Sequence, residues 1–540
     1  MISGAEIMVK CLEAEGVDIV FGYPGAAICP FYDKIYDSSI THILVRQEQN
    51  AAHAASGYAR CSNRPGVCVA TSGPGATNLI TGIATAYTDS IPIVAITGQV
   101  RSDLLGRDVF QEADITGACE PFVKHSYLVS KTEDLPRVFK EAFHIASTGR
   151  PGPVLIDIPV DIQENEIESF EYPESVNIIG YKPNTKGHAI QVKKAVEAIN
   201  ASKRPVIVSG GGVLSSGIKL KLQKFAETTG IPVISTMMGI GVMPSEHELY
   251  LGMLGTHGKA VANRALHEAD LVIVCGARLG DRAVAAPDQM SENTKVIHID
   301  IDPAEIGKNV KTEIPIVGDM KNVINMLLDS IGDYNVTTMW SETVKNWKKD
   351  LYREPPVFDG FVEPRTLVGH LSAMFRSKAI LVADVGQNQI WCANNFRIRE
   401  GRFLTTGGMG TMGYSIPAAI GAKFARPDRD VIVICGDGSF QMGLNELATI
   451  AGNQLGIKII IMKNARLGMV RELQDKHYGG RHSATILNGD PDFLKIADAY
   501  GIDHAEAHSN KEAENIIKGI VDSEKPFILV CDVHPDTPSI

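Results

Sequence analysis

The stretch 431–464 constrains the fold of this chain more than any other segment; it reads VIVICGDGSFQMGLNELATIAGNQLGIKIIIMKN. It begins with an apolar run, passes through a Gly-Asp-Gly turn into a segment with helical periodicity, and ends in a second apolar run. Apolar runs joined by a helical pattern are typical of a parallel βαβ unit, in which both strands are buried. The sequence therefore predicts a strand, a tight turn, an amphipathic helix and a second strand.

The turn of this unit and the end of its second strand carry oxygen ligands. Asp437 lies in the turn after the first predicted strand, and Asn464 ends the second. Backbone N–H groups at such a turn favour a phosphate, and Mg²⁺ accepts carboxylate and amide oxygens. An acidic residue is also common at a helix start without any ligand. With the spacing described next, we interpret the unit as a clamp for a divalent cation and a diphosphate.

The spacing resembles the thiamine diphosphate (ThDP) motif, in which Gly-Asp-Gly precedes an Asn-Asn pair. Here Gly436-Asp437-Gly438 is followed, after residues 439–462, by Lys463-Asn464, so the second position of the pair matches and the first does not. The resemblance implies a Mg²⁺ site formed by Asp437, Asn464 and the main-chain carbonyl of Arg466.

Length and composition favour a multidomain globular protein. The 540 residues suffice for about three domains, and 44% hydrophobic with 21% charged residues is ordinary. The net charge of −11 offers no basic surface for nucleic acid or anionic lipid. We expect no membrane span and no signal peptide. Nine cysteines without C-x-x-C spacing indicate buried thiols and a cytoplasmic protein.

Short Val- and Ile-rich runs alternate with helical patterns in three segments, residues 1–170, 185–345 and 360–540. This alternation predicts an α/β fold of three domains, each with a doubly wound parallel sheet. The polar stretch 161–186 and the charged stretch 347–365 are the predicted linkers. The predicted strands are 19–21, 43–45, 67–70, 93–96, 154–158, 205–208, 232–235, 271–274, 296–299, 380–383, 431–435, 459–462 and 527–530.

A carboxylate follows the second predicted strand of the first segment. Glu48 lies between that strand and an Ala-rich helix, a position where sites form in α/β sheets. A lone Glu at a helix start is usually a surface residue that matches the helix dipole. Arg-x-Glu before an Ala-His-Ala-Ala helix, however, resembles the signature of the glutamate that contacts the thiamine pyrimidine. The resemblance implies that Glu48 favours the imino tautomer, whose nitrogen takes the proton from thiazolium C2.

Further motifs resemble one branch of the ThDP enzymes, the large catalytic subunits of the acetohydroxyacid (acetolactate) synthases. They are FGYPG at 21–25, TGRPGP at 148–153 and GMGTMGY at 408–414. The chain departs from the family pattern at Ala26, where glycine is usual, and at Asn388, where histidine is usual. The ThDP contacts that the resemblance implies are Gly25, Ala26, Glu48, Gly386, Gln387, Gly410, Met412, Asp437, Gly438, Ser439, Asn464, Leu467, Gly468 and Met469.

Residues near the substrate are implied in the same way. Gln111, in the segment DVFQE at 108–112, is expected beside the reacting centre, as is the loop TSGPGATN at 71–78. Arg282 is implied to hold the carboxylate of a second 2-keto acid, a bidentate task that suits a guanidinium. Substrate specificity is assigned to Phe110, Met469 and Leu473.

The middle segment resembles the FAD-binding domain of these synthases, where the flavin is non-redox. Glycine-rich turns, arginines and acids at successive strand ends suit a dinucleotide, although a single glycine triplet is weak evidence. RLGDR at 278–282 replaces the usual Arg-Phe-Asp-Asp-Arg, so an acid is missing at Gly280. The implied FAD contacts are Arg150, Gly210, Gly211, Gly212, Thr236, Met237, Leu254, Gly255, Thr256, His257, Gly276, Ala277, Arg278, Arg282, Asp300, Ile301 and Asp319.

The resemblance implies a ThDP-dependent transferase that also needs Mg²⁺. It would decarboxylate pyruvate and transfer the hydroxyethyl (acetaldehyde) unit to pyruvate or 2-ketobutyrate, giving 2-acetolactate or 2-aceto-2-hydroxybutyrate in branched-chain amino acid biosynthesis. The three domains would bind the pyrimidine, FAD and the diphosphate, in that order. A homodimer or homotetramer is implied, because Glu48 of one chain faces Asp437 of another. A small regulatory subunit is a further possible partner.

Three alternatives stay open. A catabolic, flavin-free acetolactate synthase fits Gly280 and Leu473, and a colourless purified protein favours it. Another ThDP enzyme, such as a pyruvate oxidase, needs productive flavin redox chemistry. A non-catalytic relative fits the departures at residues 26, 388 and 463, but the joint presence of Glu48, Asp437 and Asn464 argues against it.

We expect Leu473 to make the enzyme more selective for pyruvate as acceptor. Biosynthetic members carry a Trp there that favours 2-ketobutyrate, and one methylene is worth only about 1–3 kcal/mol in a pocket. Competition kinetics with both 2-keto acids measures this selectivity, and a strong preference for 2-ketobutyrate would contradict the expectation.

Overall fold

The computed structural model describes residues 1–284, 294–332, 338–351, 354–489 and 491–540. In these residues three sheets of six strands form, and every strand pair within them is parallel. The predicted α/β fold with three parallel sheets is therefore confirmed. Within the described ranges, every helix is too short or too polar to cross a lipid bilayer.

The strands are numbered in chain order. They are β1 Ile2–Ser3, β2 Ile19–Gly22, β3 Thr41–Leu44, β4 Gly66–Ala70, β5 Ile93–Gln99, β6 His125–Leu128, β7 Val154–Pro159, β8 Glu166–Ile167, β9 Pro205–Ser209, β10 Val233–Ser235, β11 Tyr250–Met253, β12 Leu271–Cys275, β13 Lys295–Asp300, β14 Ile314–Val317, β15 Ile380–Ala383, β16 Arg402–Leu404, β17 Val431–Gly436, β18 Ile457–Lys463, β19 Asp503–Ala507 and β20 Phe527–Asp532.

The α-helices lie between these strands and are named by their bounds. They are Gly4–Ala14, Cys29–Ile35, Glu48–Ser62, Pro74–Asn78, Ile80–Thr88, Ile115–Cys119, Leu135–Ser147, Val160–Glu164, Ala189–Ala201, Gly211–Ser215, Lys219–Thr229, Ala260–Glu268, Met320–Ser330, Thr338–Asp350, Pro364–Met374, Gln387–Asn395, Ser415–Ala425, Asp437–Gly443, Leu447–Gly452, Gly468–Tyr478, Phe493–Ala499 and Asn510–Ile520.

All three sheets have the same plan. Their strand orders are β3-β2-β4-β5-β7-β6, β11-β10-β9-β12-β13-β14 and β16-β15-β17-β18-β20-β19. In each sheet the chain starts at a central strand and adds neighbouring strands on one side until it reaches that edge. It then crosses back and adds the remaining strands on the other side of the first strand. The order reverses between β2 and β4, between β9 and β12, and between β15 and β17. Such switch points open a crevice at the carboxyl ends of the strands, where ligands bind in α/β sheets.

Burial on both faces explains why the central strands read as continuous apolar runs. In β4, Val67 and Val69 pack into one apolar cluster, whereas Cys68 and Ala70 pack into another on the opposite face. Every predicted strand is present. The six-stranded sheets also contain unpredicted strands, β6, β11, β14, β16 and β19, and all of them are edge strands. An edge strand has only one neighbour and needs no long apolar run.

Three details differ from or extend the sequence interpretation. The single helix predicted after the Gly-Asp-Gly turn is wrong: Asp437–Gly443 and Leu447–Gly452 are separated by a 3₁₀ turn, Leu444–Glu446. In the first predicted linker, 161–186, β8 pairs antiparallel with β1. Of the second, 347–365, residues 352 and 353 lie outside the described ranges.

The first and third sheets share one apolar core, formed where the helix Glu48–Ser62 packs against the helix Ser415–Ala425. A Cβ atom on Gly57 would lie 2.0 Å from the carbonyl oxygen of Ala418, and one on Gly421 would lie 1.8 Å from that of Ala54. Both distances are far inside van der Waals contact. The two helices therefore approach this closely only because glycine stands at both positions.

Gly421→Ala should destabilise the protein by about 1–3 kcal/mol, because the added methyl forces these two helices apart. Gly519 is the matched control: it lies in the helix Asn510–Ile520, and a Cβ there meets no atom within 4 Å. Gly519→Ala should be neutral or stabilising by up to about 1 kcal/mol. Thermal unfolding followed by circular dichroism measures both, and equal shifts in Tm for the two variants would contradict the packing argument.

Candidate functional site

Asp437 and Asn464 meet at the switch point of the third sheet. Asp437 is 2% exposed, and its carboxylate accepts hydrogen bonds from the backbone N–H groups of Gly438 (2.9 Å), Asn464 (3.0 Å) and Ala465 (2.6 Å). The backbone N–H of Arg466 in turn donates to Oδ1 of Asn464 (3.1 Å). Asp437 and Asn464 therefore lie side by side where the loops after β17 and β18 meet.

The turn that carries Asn464 is held in an unusual conformation. Ala465 has a φ of +52°, in the left-handed region that non-glycine residues rarely adopt. Such strain persists only when surrounding contacts fix it, and it is concentrated at functional sites. Here the bonds to the Asp437 carboxylate fix it. The carboxylate of Asp437 and the amide oxygen of Asn464 are ligands of the kind that a hard cation requires.

Gln387 and Gly468 lie on the other side of Asn464. Nδ2 of Asn464 donates to Oε1 of Gln387 (3.0 Å). Gly468 is pressed against the same side chain, since a Cβ there would lie 1.8 Å from Oε1 of Gln387. Gly386, which precedes Gln387, has a φ of +137°. The loops after β15, β17 and β18 therefore converge.

An apolar wall lies beside Gly438. A Cβ on Gly438 would be 3.3 Å from Leu467, 3.4 Å from Leu487 and 3.7 Å from Met412. The structure therefore brings Leu467 and Met412 together beside the Gly-Asp-Gly turn, although they follow different strands. Ser439 closes the turn, because its hydroxyl accepts from the N–H of Gly436 (3.1 Å).

A second cluster forms at the switch point of the first sheet. Glu48 begins the helix Glu48–Ser62, and its Oε2 accepts a hydrogen bond from Nδ2 of Asn78 (3.0 Å). A Cβ on Gly75 would lie 3.4 Å from Oε1 of Glu48 and 2.7 Å from Cγ2 of Thr71. A Cβ on Gly25 would lie 2.5 Å from that same atom. Glu48 and the loops at 23–27 and 71–78 thus share one corner.

The segment that carries Gln111 is strained and lies beside this corner. Gln111 has a φ of +60° and Asp108 a φ of +55°. A Cβ on Gly73 would lie 2.9 Å from Cβ of Gln111, so the two predicted loops touch. The Glu112 carboxylate accepts from the N–H of Val109 (3.1 Å) and fixes the loop. Phe110 projects outward with 86% of its surface exposed.

In the middle sheet the glycines at the switch point pack against each other. A Cβ on Gly210 would lie 2.1 Å from the carbonyl oxygen of Gly276, and Gly212 donates its N–H to the same oxygen (3.1 Å). Gly255 has a φ of +109° and is pressed against the carbonyl of Arg282. These glycines thus bring the loops after β9, β11 and β12 into direct contact.

Arg150 reaches from the first domain to the carboxyl end of β13. Its Nη1 donates to Asp302 (3.3 Å) and Glu305 (2.8 Å), and its Nε donates to Ser90. Within the described residues, Oε2 of Glu305 is buried without a hydrogen-bond partner. Burial raises the pKa of nearby Asp300 to about 6. An orphaned buried acceptor beside an arginine and strand-end acids fits a ligand with hydroxyl and phosphate groups.

Two carboxylates that the sequence did not reveal, the buried Glu446 and the half-buried Asp89, connect the first and third domains. Glu446 is fully buried and accepts from the N–H of Arg46 (2.7 Å) and from Nδ2 of Asn50 (3.0 Å). Asp89 accepts from the N–H groups of Gly407 (3.2 Å) and Gly408 (2.8 Å), and burial raises its pKa. Their partners are distant in sequence, so only an invariant acid in an alignment could have signalled them.

Lys463, which departs from the motif, points away from Asn464. Its Nζ lies 3.2 Å from Asp532 and 3.8 Å from Glu506, at the ends of β20 and β19. These carboxylates and His508 lie close enough together to suit a cation. The lysine ammonium already supplies that positive charge. The substitution therefore changes an ion-pair cluster beside the turn and leaves the Asp437–Asn464 contact in place.

Comparison with known proteins follows the same division of the chain. Three family models match in order: "Thiamine pyrophosphate enzyme, N-terminal TPP binding domain" over residues 2–118, "Thiamine pyrophosphate enzyme, central domain" over 192–327, and "Thiamine pyrophosphate enzyme, C-terminal TPP binding domain" over 384–531.

Curated relatives align along nearly the whole chain. A "probable acetolactate synthase large subunit" of Methanocaldococcus jannaschii is 47% identical, with 99% of this chain and 92% of the relative covered. The "acetolactate synthase large subunit" of Haemophilus influenzae is 45% identical, with 93% and 89% covered. The protein of the same name from Corynebacterium glutamicum is 46% identical, with 93% and 82% covered.

Proposed function

Because the chain belongs to the acetolactate synthase large subunits of the thiamine pyrophosphate enzyme family, we propose that the Asp437 cluster of one chain and the Glu48 cluster of a second copy act on one ThDP molecule. The reaction is the decarboxylation of pyruvate and transfer of its two-carbon unit to pyruvate or 2-ketobutyrate, which gives 2-acetolactate or 2-aceto-2-hydroxybutyrate for branched-chain amino acids. ThDP, when bound, stabilises the negative charge that decarboxylation leaves. The side-by-side placement of Asp437 and Asn464 carries the proposal.

The third domain would hold the diphosphate end through Mg²⁺. Asp437, Oδ1 of Asn464 and the carbonyl of Arg466 would be the metal ligands, since they supply hard oxygens on two adjoining loops. Backbone N–H groups orient the Asp437 carboxylate before any metal arrives. Gly438, with Leu467 and Met412 beside it, leaves an apolar wall for the body of the cofactor.

The first domain would hold the pyrimidine end. Asn78 orients the Glu48 carboxylate from one side, and the absence of a side chain at Gly75 leaves its other oxygen accessible. Glu48 would share a proton with a ring nitrogen of the pyrimidine, which favours the tautomer that accepts the C2 proton. Gln111 lies on the neighbouring loop and would face the reacting carbon.

The acceptor would be held by residues that are exposed in the isolated chain. The side chain of Arg282 is 74% exposed. Its guanidinium would pair with the carboxylate of the acceptor. Phe110, Met469 and Leu473 would line the space for its alkyl group.

We propose that a second copy of the chain completes each site. Large apolar side chains are exposed on the loops and helices around both clusters, and such patches mark interaction surfaces. They include Tyr23, Phe110, Met409, Met442, Leu473 and Tyr478. A homodimer or homotetramer would bury them. A small subunit is a further proposed partner, because the relatives are named "large subunit".

Glu48→Gln should lower the rate of acetolactate formation from pyruvate by about 10²-fold or more, because a glutamine amide cannot share a proton with the pyrimidine ring nitrogen as a carboxylate does. ThDP binding should persist, since the diphosphate site is intact. The assay contains ThDP and Mg²⁺, with EDTA expected to abolish activity. Glu168→Gln, an exposed carboxylate in the same domain, is the control. Unchanged turnover in Glu48→Gln would refute the assignment.

We propose that the middle domain binds FAD without redox turnover, supported by Arg150 and the unpartnered oxygen of Glu305. The purified protein should be yellow, with about one FAD per chain. The Arg150→Ala variant should lose most of its bound FAD, because it lacks the guanidinium that would contact the cofactor. Absorbance at flavin wavelengths measures the content. A colourless, fully active protein would instead support a flavin-free synthase.

A further inference from the structure

The side-chain amide of Gln387 is the centre of a buried chain of hydrogen bonds beside the proposed Mg²⁺ ligands. Gln387 is 4% exposed. Its Nε2 donates to Oε1 of Glu472 (2.7 Å) and to the carbonyl oxygen of Thr537 (2.9 Å). Its Oε1 accepts from Nδ2 of Asn464 (3.0 Å). Every hydrogen of the Gln387 amide group therefore has an acceptor, and its oxygen has a donor.

This chain of bonds determines which atom of Asn464 is available to a cation. Nδ2 of Asn464 is directed at Gln387, so Oδ1 lies on the opposite side, where the N–H of Arg466 donates to it. A flipped Gln387 amide would set its NH₂ group against that of Asn464 and its oxygen against two acceptors. Such a mismatch leaves buried donors and acceptors without partners, which is strongly unfavourable.

Glu472 determines the direction of the chain. A carboxylate only accepts hydrogen bonds, so Gln387 has to present its NH₂ group to it. Glu472 is itself held in place, because Oε1 accepts from the N–H of Ser539 and Oε2 accepts from its hydroxyl, both at 2.8 Å. Gly468 confines Gln387 from the third side. The amide of Gln387 thus has one allowed orientation.

We propose that Glu472 is a positioning residue for the metal site: through Gln387 it orients Asn464 so that Oδ1, and not the NH₂ group, meets Mg²⁺. The proposal rests on the proposed function, since it requires Mg²⁺ at Asp437 and Asn464. Glu472 itself contacts neither metal nor substrate. Partners of this kind, which orient a ligand from behind, are worth about 10- to 100-fold in metal affinity.

The proposal is tested by measuring the affinity of the full chain for Mn²⁺, used in place of Mg²⁺, with saturating ThDP. Electron paramagnetic resonance measures the concentration of free Mn²⁺. Glu472→Ala should raise the Kd for Mn²⁺ about 10- to 100-fold, and high Mg²⁺ should restore its turnover. Glu472→Gln should bind almost as the wild type, because its amide oxygen still accepts from Gln387. Lys476→Ala, exposed one turn along the same helix, is the control.

A wild-type Kd in Glu472→Ala would overturn the proposal, and so would an equal loss in Glu472→Gln and Glu472→Ala. Circular dichroism establishes that both variants fold; the glutamine variant retains a carbonyl acceptor at the same place. Failure of the wild type to bind Mn²⁺ with ThDP would instead overturn the proposed metal site itself. The two failures are therefore distinguishable.

Discussion

The contact between the helices Glu48–Ser62 and Ser415–Ala425 is the constraint on which the rest of the structure depends. Gly57 and Gly421 allow each helix to rest on the other's backbone carbonyls, and one apolar core then spans the first and third sheets. Residues that we propose to bind the cofactor lie at the amino ends of both helices: Glu48 on one, and the loop 407–414 before the other. The close packing of these two helices therefore helps to fix where the two carboxylate clusters lie.

Two carboxylates, the buried Glu446 and the half-buried Asp89, complete this arrangement. Glu446 ties the segment before Glu48 to the segment after Asp437, and Asp89 ties the loop at Gly407 and Gly408 to the first domain. A buried carboxylate is stable only when hydrogen bonds compensate its lost hydration. Each of these acids therefore fixes the positions of the groups that donate hydrogen bonds to it. The site is assembled by polar bonds at its rim and by apolar contact beneath it.

The central strands and turns could be predicted from the sequence, because short stretches of neighbouring residues determine them. Strands such as β4 and β17 are buried on both faces and appear as apolar runs, and the turn that follows β17 carries Asp437. The edge strands β6 and β19 could not be found, since each contains at least as many polar as apolar residues. Glu472 and Glu446 were missed for another reason: Glu472 contacts Ser539, 67 residues away, and Glu446 contacts Arg46, 400 residues away.

Sharing of each site between two chains is the central claim, and subunit complementation tests it most directly. Chains with Glu48→Gln and chains with Asp437→Ala, each inactive alone, are mixed under conditions that exchange subunits. If the carboxylates act across the interface, a mixed dimer contains one site with both native residues, and an equal mixture should recover about a quarter of the wild-type activity. Exchange without any recovery would show that each chain supplies both residues to its own site and would contradict the account.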